Sequence, residues 1–159
     1  MKRNIIITGF DEKLSESIAC ALADRLSMYY LSVGALALYH ANRETREMII
    51  AEGGTYQYEK FFDAAIKDAL EFEGTVGAVD FADLNPRQIE DLKKNSFIIF
   101  IGFSYSALVK RGIEIKESLC NFSRYKYKNV YDLFLYGDAA AKEKPIQKIL
   151  DGITSYYGG

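Results

Sequence analysis

Residues 4–26 read NIIITGFDEKLSESIACALADRL. The β-branched run Ile5, Ile6 and Ile7 suits a strand buried on both faces. Gly9 follows at once, where the chain needs a sharp turn. After a short polar loop, Leu14, Ile18, Leu22 and Leu26 recur at four-residue steps with Ala21 beside them, which gives one apolar helical face. Strand, glycine turn and helix in that order are the frame on which phosphate-binding loops are built.

The alternation continues along the chain. Residues 28–31 read as a second short strand, and 34–42 and 43–52 as good helix formers that Gly53-Gly54 should end. From Thr55 an amphipathic helix follows, with Tyr58, Phe61, Phe62, Ala65, Ile66, Ala69 and Leu70 on one face. Phe61, Phe62, Tyr56 and Tyr58 read mainly as core, with tyrosines on the flank free to line a pocket or an interface. Residues 75–81 predict a third strand. Asn85-Pro86 is a helix start, an N-cap followed by proline at the first helical position. Residues 97–101 predict a fourth strand, 104–111 a short helix and 131–136 a fifth strand. Residues 112–128 are polar and weakly periodic, and read as a mobile segment over the surface. Ile146, Ile149, Leu150 and Ile153 mark the last helix, with a fraying tail from Tyr156. Strands alternating with helices predict one α/β domain over residues 1–159, in three α/β/α layers around a five-stranded parallel sheet.

Composition narrows the function classes. With 159 residues, 49% hydrophobic and 26% charged, the chain is long enough for one sizeable core. A net charge of -2 gives no footprint for nucleic acid or an anionic membrane surface. The basic–aromatic run from Arg124 to Lys128 is short, and reads as a solvated cover rather than a single-strand binder. No stretch approaches the ~20 apolar residues of a membrane span. Cys20 and Cys120 form no C-x-x-C pair and read as reduced thiols of a cytoplasmic protein. The single histidine, His40, has no partner at metal-site spacing, so no metal site is expected. Asp11, Asp80 and Asp83 fall near predicted strand ends, where α/β sheets bind ligands. They read as solvated carboxylates, with a metal or cationic ligand as the sharper alternative.

The order and spacing of these elements resemble the shikimate kinase family of P-loop kinases over nearly the whole chain. The likeness is best in residues 3–26, 85–111 and 123–150. It implies a substrate-binding helical region at about 32–70 and a lid-like segment at about 112–124. The family's functional residues carry over poorly. In the pattern G-x-x-x-x-G-K-[ST] only Gly9 survives; the second glycine becomes Leu14, the lysine Ser15 and the magnesium-holding hydroxyl Glu16. The D-x-D pair falls on Ser32-Val33-Gly34, the substrate arginine near Tyr58, and the glycine triplet on Val79-Asp80-Phe81. In the C-terminal segment Tyr127 and Asp132 are kept, while Ser123 stands at the expected arginine with Arg124 next to it. The N-terminal T-G also resembles short-chain dehydrogenases, but their G-x-G-x-x-G fingerprint is missing.

No residue is therefore assigned a catalytic role. Gly9, Lys13, Ser15 and Ser17 are the anion-binding candidates of a degenerate nucleotide loop. Lys110, Arg111 and Arg124 are basic candidates on the lid side. Two functional readings stay open. One is a protein that has lost phosphotransferase activity, needs no cofactor, and binds a small ligand, a protein partner or a second copy of itself. The other is an active shikimate kinase or related small-molecule kinase that uses ATP and Mg²⁺ through an atypical loop.

Overall fold

A computed structural model describes residues 4–121, 123–137 and 145–157. The elements are β1 (Asn4–Gly9), α1 (Glu12–Leu26), β2 (Tyr29–Ser32), α2 (Val33–Ala41), α3 (Arg46–Glu71) and β3 (Thr75–Asp80). A short 3-10 turn, Phe81–Asp83, leads to α4 (Pro86–Asn95), β4 (Ser96–Gly102) and α5 (Tyr105–Lys110). Two one-turn helices, α6 (Glu117–Cys120) and α7 (Ser123–Lys126), precede β5 (Leu133–Tyr136) and α8 (Pro145–Tyr157).

The five strands form one sheet in the order β2-β3-β1-β4-β5, every pair parallel. The expected three-layer architecture is what the chain adopts. Strand β1 lies central because Ile5, Ile6 and Ile7 bury both faces. Ile5 and Ile7 face the cluster with Ile18, Leu22 and Ile149, while Ile6 faces Val33, Ile49, Phe62 and Ile66. At the foot of the sheet the buried Asn4 amide donates to the carbonyls of Ala69 and Phe72, and its oxygen accepts from Thr75 N–H. Those bonds tie the end of α3 to β1 and β3; in the sheet Gly9 pairs with Asp80 on one side and Ile101 on the other.

The glycine pair interrupts the helix where expected: Gly54, with φ of 76° and ψ of 179°, leaves the helical region, so α3 is two helical segments that meet at a kink there. One expectation changes in detail. Residues 112–128 are more than a surface cover. Cys120 and Ser123 are buried, and Ile113, Ile115, Leu119 and Tyr127 pack against the core. The Tyr127 ring stacks on Phe100 with centroids 5.6 Å apart. These inward-packing residues fall at irregular spacing among charged ones, so the sequence shows no period there.

Candidate functional site

The C-terminal ends of β1 and β3 carry the site. Only Phe10 and Asp11 separate Gly9 from the first residue of α1. The helix starts this early because Asp11 is its N-cap: one carboxylate oxygen accepts from Leu14 N–H at 3.1 Å, which satisfies a free donor of the first turn. The other oxygen accepts from Arg111 Nε at 2.5 Å. Asp11 is 8% exposed. A negative group thus already occupies the helix N-terminus, and Arg111, one of the basic candidates, is bound to it. The Arg111 guanidinium also lies 4.9 Å over the Phe103 ring. Phe10 is 4% exposed and sits edge-on to Phe81 and Phe100, so the loop's other residue belongs to the core.

The remaining anion-binding candidates are dispersed. Gly9 is buried beside the Ile101 backbone, and a Cβ there would collide with the Ile101 carbonyl oxygen. Ser15 is 1% exposed on the sheet-facing side of α1, and its hydroxyl has no hydrogen-bond partner among the described residues. Lys13 and Ser17 are exposed on the opposite side of the helix. Lys110 is exposed. Arg124 lies elsewhere, donating to the Tyr136 hydroxyl at 2.9 Å beside a hollow of about 330 Å³ next to β5. His40 pairs with Asp68 at 2.6 Å on the surface.

What the ends of β1 and β3 do gather is acid. Ligand oxygens of Glu12, Asp80 and Asp83 lie within 4.8 Å of one another. Glu12 comes from the first turn of α1, and Asp80 and Asp83 from the end of β3 and the 3-10 turn behind it. Asp83 is clamped by α3: Arg46 Nη1 is 2.9 Å from Oδ1, and the Tyr58 hydroxyl donates to Oδ2 at 3.3 Å. Arg46 also lies 4.9 Å over the Tyr58 ring. In front of the cluster is a cleft of about 570 Å³ lined by Glu12, Glu16, Tyr30, Arg46, Tyr58 and Asp83 among others. Sequence reasoning placed Asp80 and Asp83 here but missed Glu12 and Arg46. Asp11 directly before the apolar helical period was the available signal, because an aspartate N-cap starts the helix at Glu12 and turns that side chain toward β3.

Crowding raises the carboxyl pKa values. Burial, then a hydrogen bond with Glu16 and repulsion from Asp80, Glu16 and Asp83, lifts Glu12 from an ordinary 4.5 to about 7. Burial first, with repulsion from Asp83, lifts Asp80 from 3.8 to about 6 against the opposing Ala82 N–H and Arg46. Asp83 is raised by burial and held back by Arg46 and Tyr58. The folded protein therefore keeps protons that the unfolded chain has already released, so stability falls as pH rises from about 4.5 to about 7. Glu12→Gln is expected to flatten that slope and to raise stability at pH 8 by about 1–2 kcal/mol, after discounting for solvent at a half-buried group. Urea unfolding at pH 5.5 and 8 reads it; an unchanged slope in the variant contradicts it.

The fold is an α/β fold like that of P-loop kinases, and the acidic cluster lies at the ends of β1 and β3. Among solved structures the likeness is to shikimate kinases. That from Aquifex aeolicus superposes with a TM-score of 0.81 at 17% identity, covering 98% of this chain and 99% of its own. The Bacteroides thetaiotaomicron enzyme gives 0.75 at 13% identity, with 97% of each chain covered. The Acinetobacter baumannii enzyme, solved in complex with shikimate, gives 0.74 at 16% identity, over 99% of this chain and 96% of that one. No family model and no curated protein matches the chain. The fold is thus shikimate-kinase-like. Among the described residues no helix is long and apolar enough to cross a membrane.

Proposed function

We propose that this chain is a shikimate-kinase-like protein that has lost phosphoryl transfer and acts by binding a small ligand in the cleft between α1, β2 and α3. The observation that carries this reading is the connection between β1 and α1: two residues long, its apolar member in the core, its carboxylate already bound to Arg111. A phosphate chain needs a wider loop of free N–H donors and a cation to neutralise it. Here Arg111 and Arg46 are both engaged by carboxylates, and Glu12, Glu16, Asp80 and Asp83 add repulsion at the same end of the sheet. Removing one preorganised charge-stabilising group costs ~10²–10³ in rate, and several are replaced together. Purified protein with ATP, Mg²⁺ and shikimate is expected to form ADP no faster than the protein-free control. Turnover that follows the protein concentration overturns the proposal in favour of an active kinase with an atypical loop.

A second reading, docking of a protein partner or a second copy, is favoured by the edge strand β2. Tyr29 is 77% and the neighbouring Phe72 56% exposed there, around an apolar hollow of about 300 Å³. Light scattering that shows only monomer at high concentration removes its self-association form.

A further inference from the structure

We infer that the free edge of β2 pairs antiparallel with the same strand of a second copy of this chain, Tyr30 facing Tyr30 across a two-fold axis. The inference rests on the docking reading of this edge and names its occupant.

The backbone sets the register. Strand β2 ends the sheet and, among the described residues, pairs only with β3, from Tyr29 opposite Thr75 to Ser32 opposite Ala78. Tyr29 N–H donates to the Gly74 carbonyl, so in this parallel ladder Tyr29 and Leu31 turn both backbone groups toward β3. Tyr30 turns its N–H and C=O to the open side. Those are the two groups that a residue in a hydrogen-bonded antiparallel pair exchanges with the residue directly opposite. A two-fold axis through the sheet at Tyr30 therefore lets each copy give one bond and accept one there.

Side chains agree with the same axis. Opposed residues of an antiparallel pair point to the same face. Tyr30 shares the α1 face with Ser32, whose hydroxyl donates to Glu16, while Leu31 packs on the other face with Val33 and Ile66. Pairing about Tyr30 brings the two Tyr30 rings together on the α1 face. It also sets Tyr29 of each copy opposite Leu31 of the other. Tyr30 lines the acidic cleft, so its counterpart in the second copy stands at that cleft's wall.

Charge and area favour an identical partner. Residues 29–32 carry no charge and no proline, and their ladder with β3 is unbroken, so the edge lacks those guards against pairing. An identical strand therefore meets no like charge. Glu73 is the one charged residue of the hollow under Tyr29 and Phe72, beside the start of β2, and antiparallel pairing carries its two copies to opposite ends. Tyr29, Tyr30 and Phe72 leave about 350 Å² of aromatic surface exposed in each copy. That is close to half of the about 800 Å² per partner in a stable interface, before the backbone edge and flanking helices count.

The test is sedimentation velocity from about 5 to about 200 µM on the wild type, Tyr30→Pro and Tyr29→Lys, with disulfide trapping of Tyr30→Cys in a Cys20→Ser background. Tyr30→Pro removes only the outward N–H. Tyr29→Lys adds a charge at an exposed position and covers the case in which proline unfolds the strand. The expected result is a wild-type dimer whose dissociation constant rises at least about tenfold in either variant. Tyr30→Cys is expected to trap a disulfide-linked dimer, because facing Cα atoms of such a pair lie about 5.5 Å apart. Tyr125→Cys, exposed near the opposite sheet edge, is expected not to. A dimer that neither substitution weakens, or that Tyr30→Cys does not trap, overturns the inference while the docking reading stands. Monomer across the whole range overturns both the inference and self-association, and leaves the edge to a different protein.

Discussion

Replacing Gly9 with alanine is expected to lower stability by about 3 kcal/mol or more, a fall in melting temperature of about 6–12 °C for a chain of this size. The cause is backbone, not ligand. The new Cβ would meet the Ile101 carbonyl oxygen on the neighbouring central strand, and neither atom belongs to a side chain that can rotate away. Relief requires β1 and β4 to separate where Ile7, Ile99 and Ile101 are all buried. In a phosphate-binding loop the glycine serves a ligand's approach, and alanine there reduces binding more than folding. A loss below about 1 kcal/mol in chemical denaturation contradicts the structural role assigned to Gly9.

The second large effect concerns the pair that occupies the loop. Arg111→Ala is expected to destabilise by about 2 kcal/mol, because it leaves the Asp11 carboxylate nine-tenths buried without its counter-charge. Arg111 is itself 35% exposed, which keeps the figure below that of a fully buried pair. Asp11→Asn should cost much less, since asparagine caps a helix as well as aspartate and the freed guanidinium can reach water. In the Asp11→Asn background the cost of Arg111→Ala is expected nearly to vanish. A double-mutant cycle with a coupling energy near zero contradicts the account of the loop as a site filled from within.

Most of the fold was legible in the residues. Ile5 to Ile7, the apolar run around Phe97 to Ile101 and the Asn85-Pro86 cap each predicted an element that the chain forms, because buried strands and capped helices follow from local pattern alone. Residues 112–128 were harder. Ile113, Ile115, Leu119 and Tyr127 pack inward from a segment with only two single-turn helices, where neither a 3.6 nor a 2.0 period develops. The candidate site was legible only in part: Leu14, Ser15 and Glu16 differ from the phosphate-loop pattern that the chain resembles. What gathers at the strand ends depended on register. Asp80 comes beside Gly9 through strand pairing, Arg111 reaches Asp11 from 100 residues away, and Arg46 turns onto Asp83 from the first turn of α3. Contacts of that kind leave no periodic trace in a sequence.

The most direct test of the central claim is titration calorimetry of the wild-type protein with ATP and with ADP, each with Mg²⁺. A loop filled by Phe10 and the Asp11–Arg111 pair predicts no heat at millimolar nucleotide. Binding at micromolar affinity would contradict it and return the cleft to phosphoryl transfer.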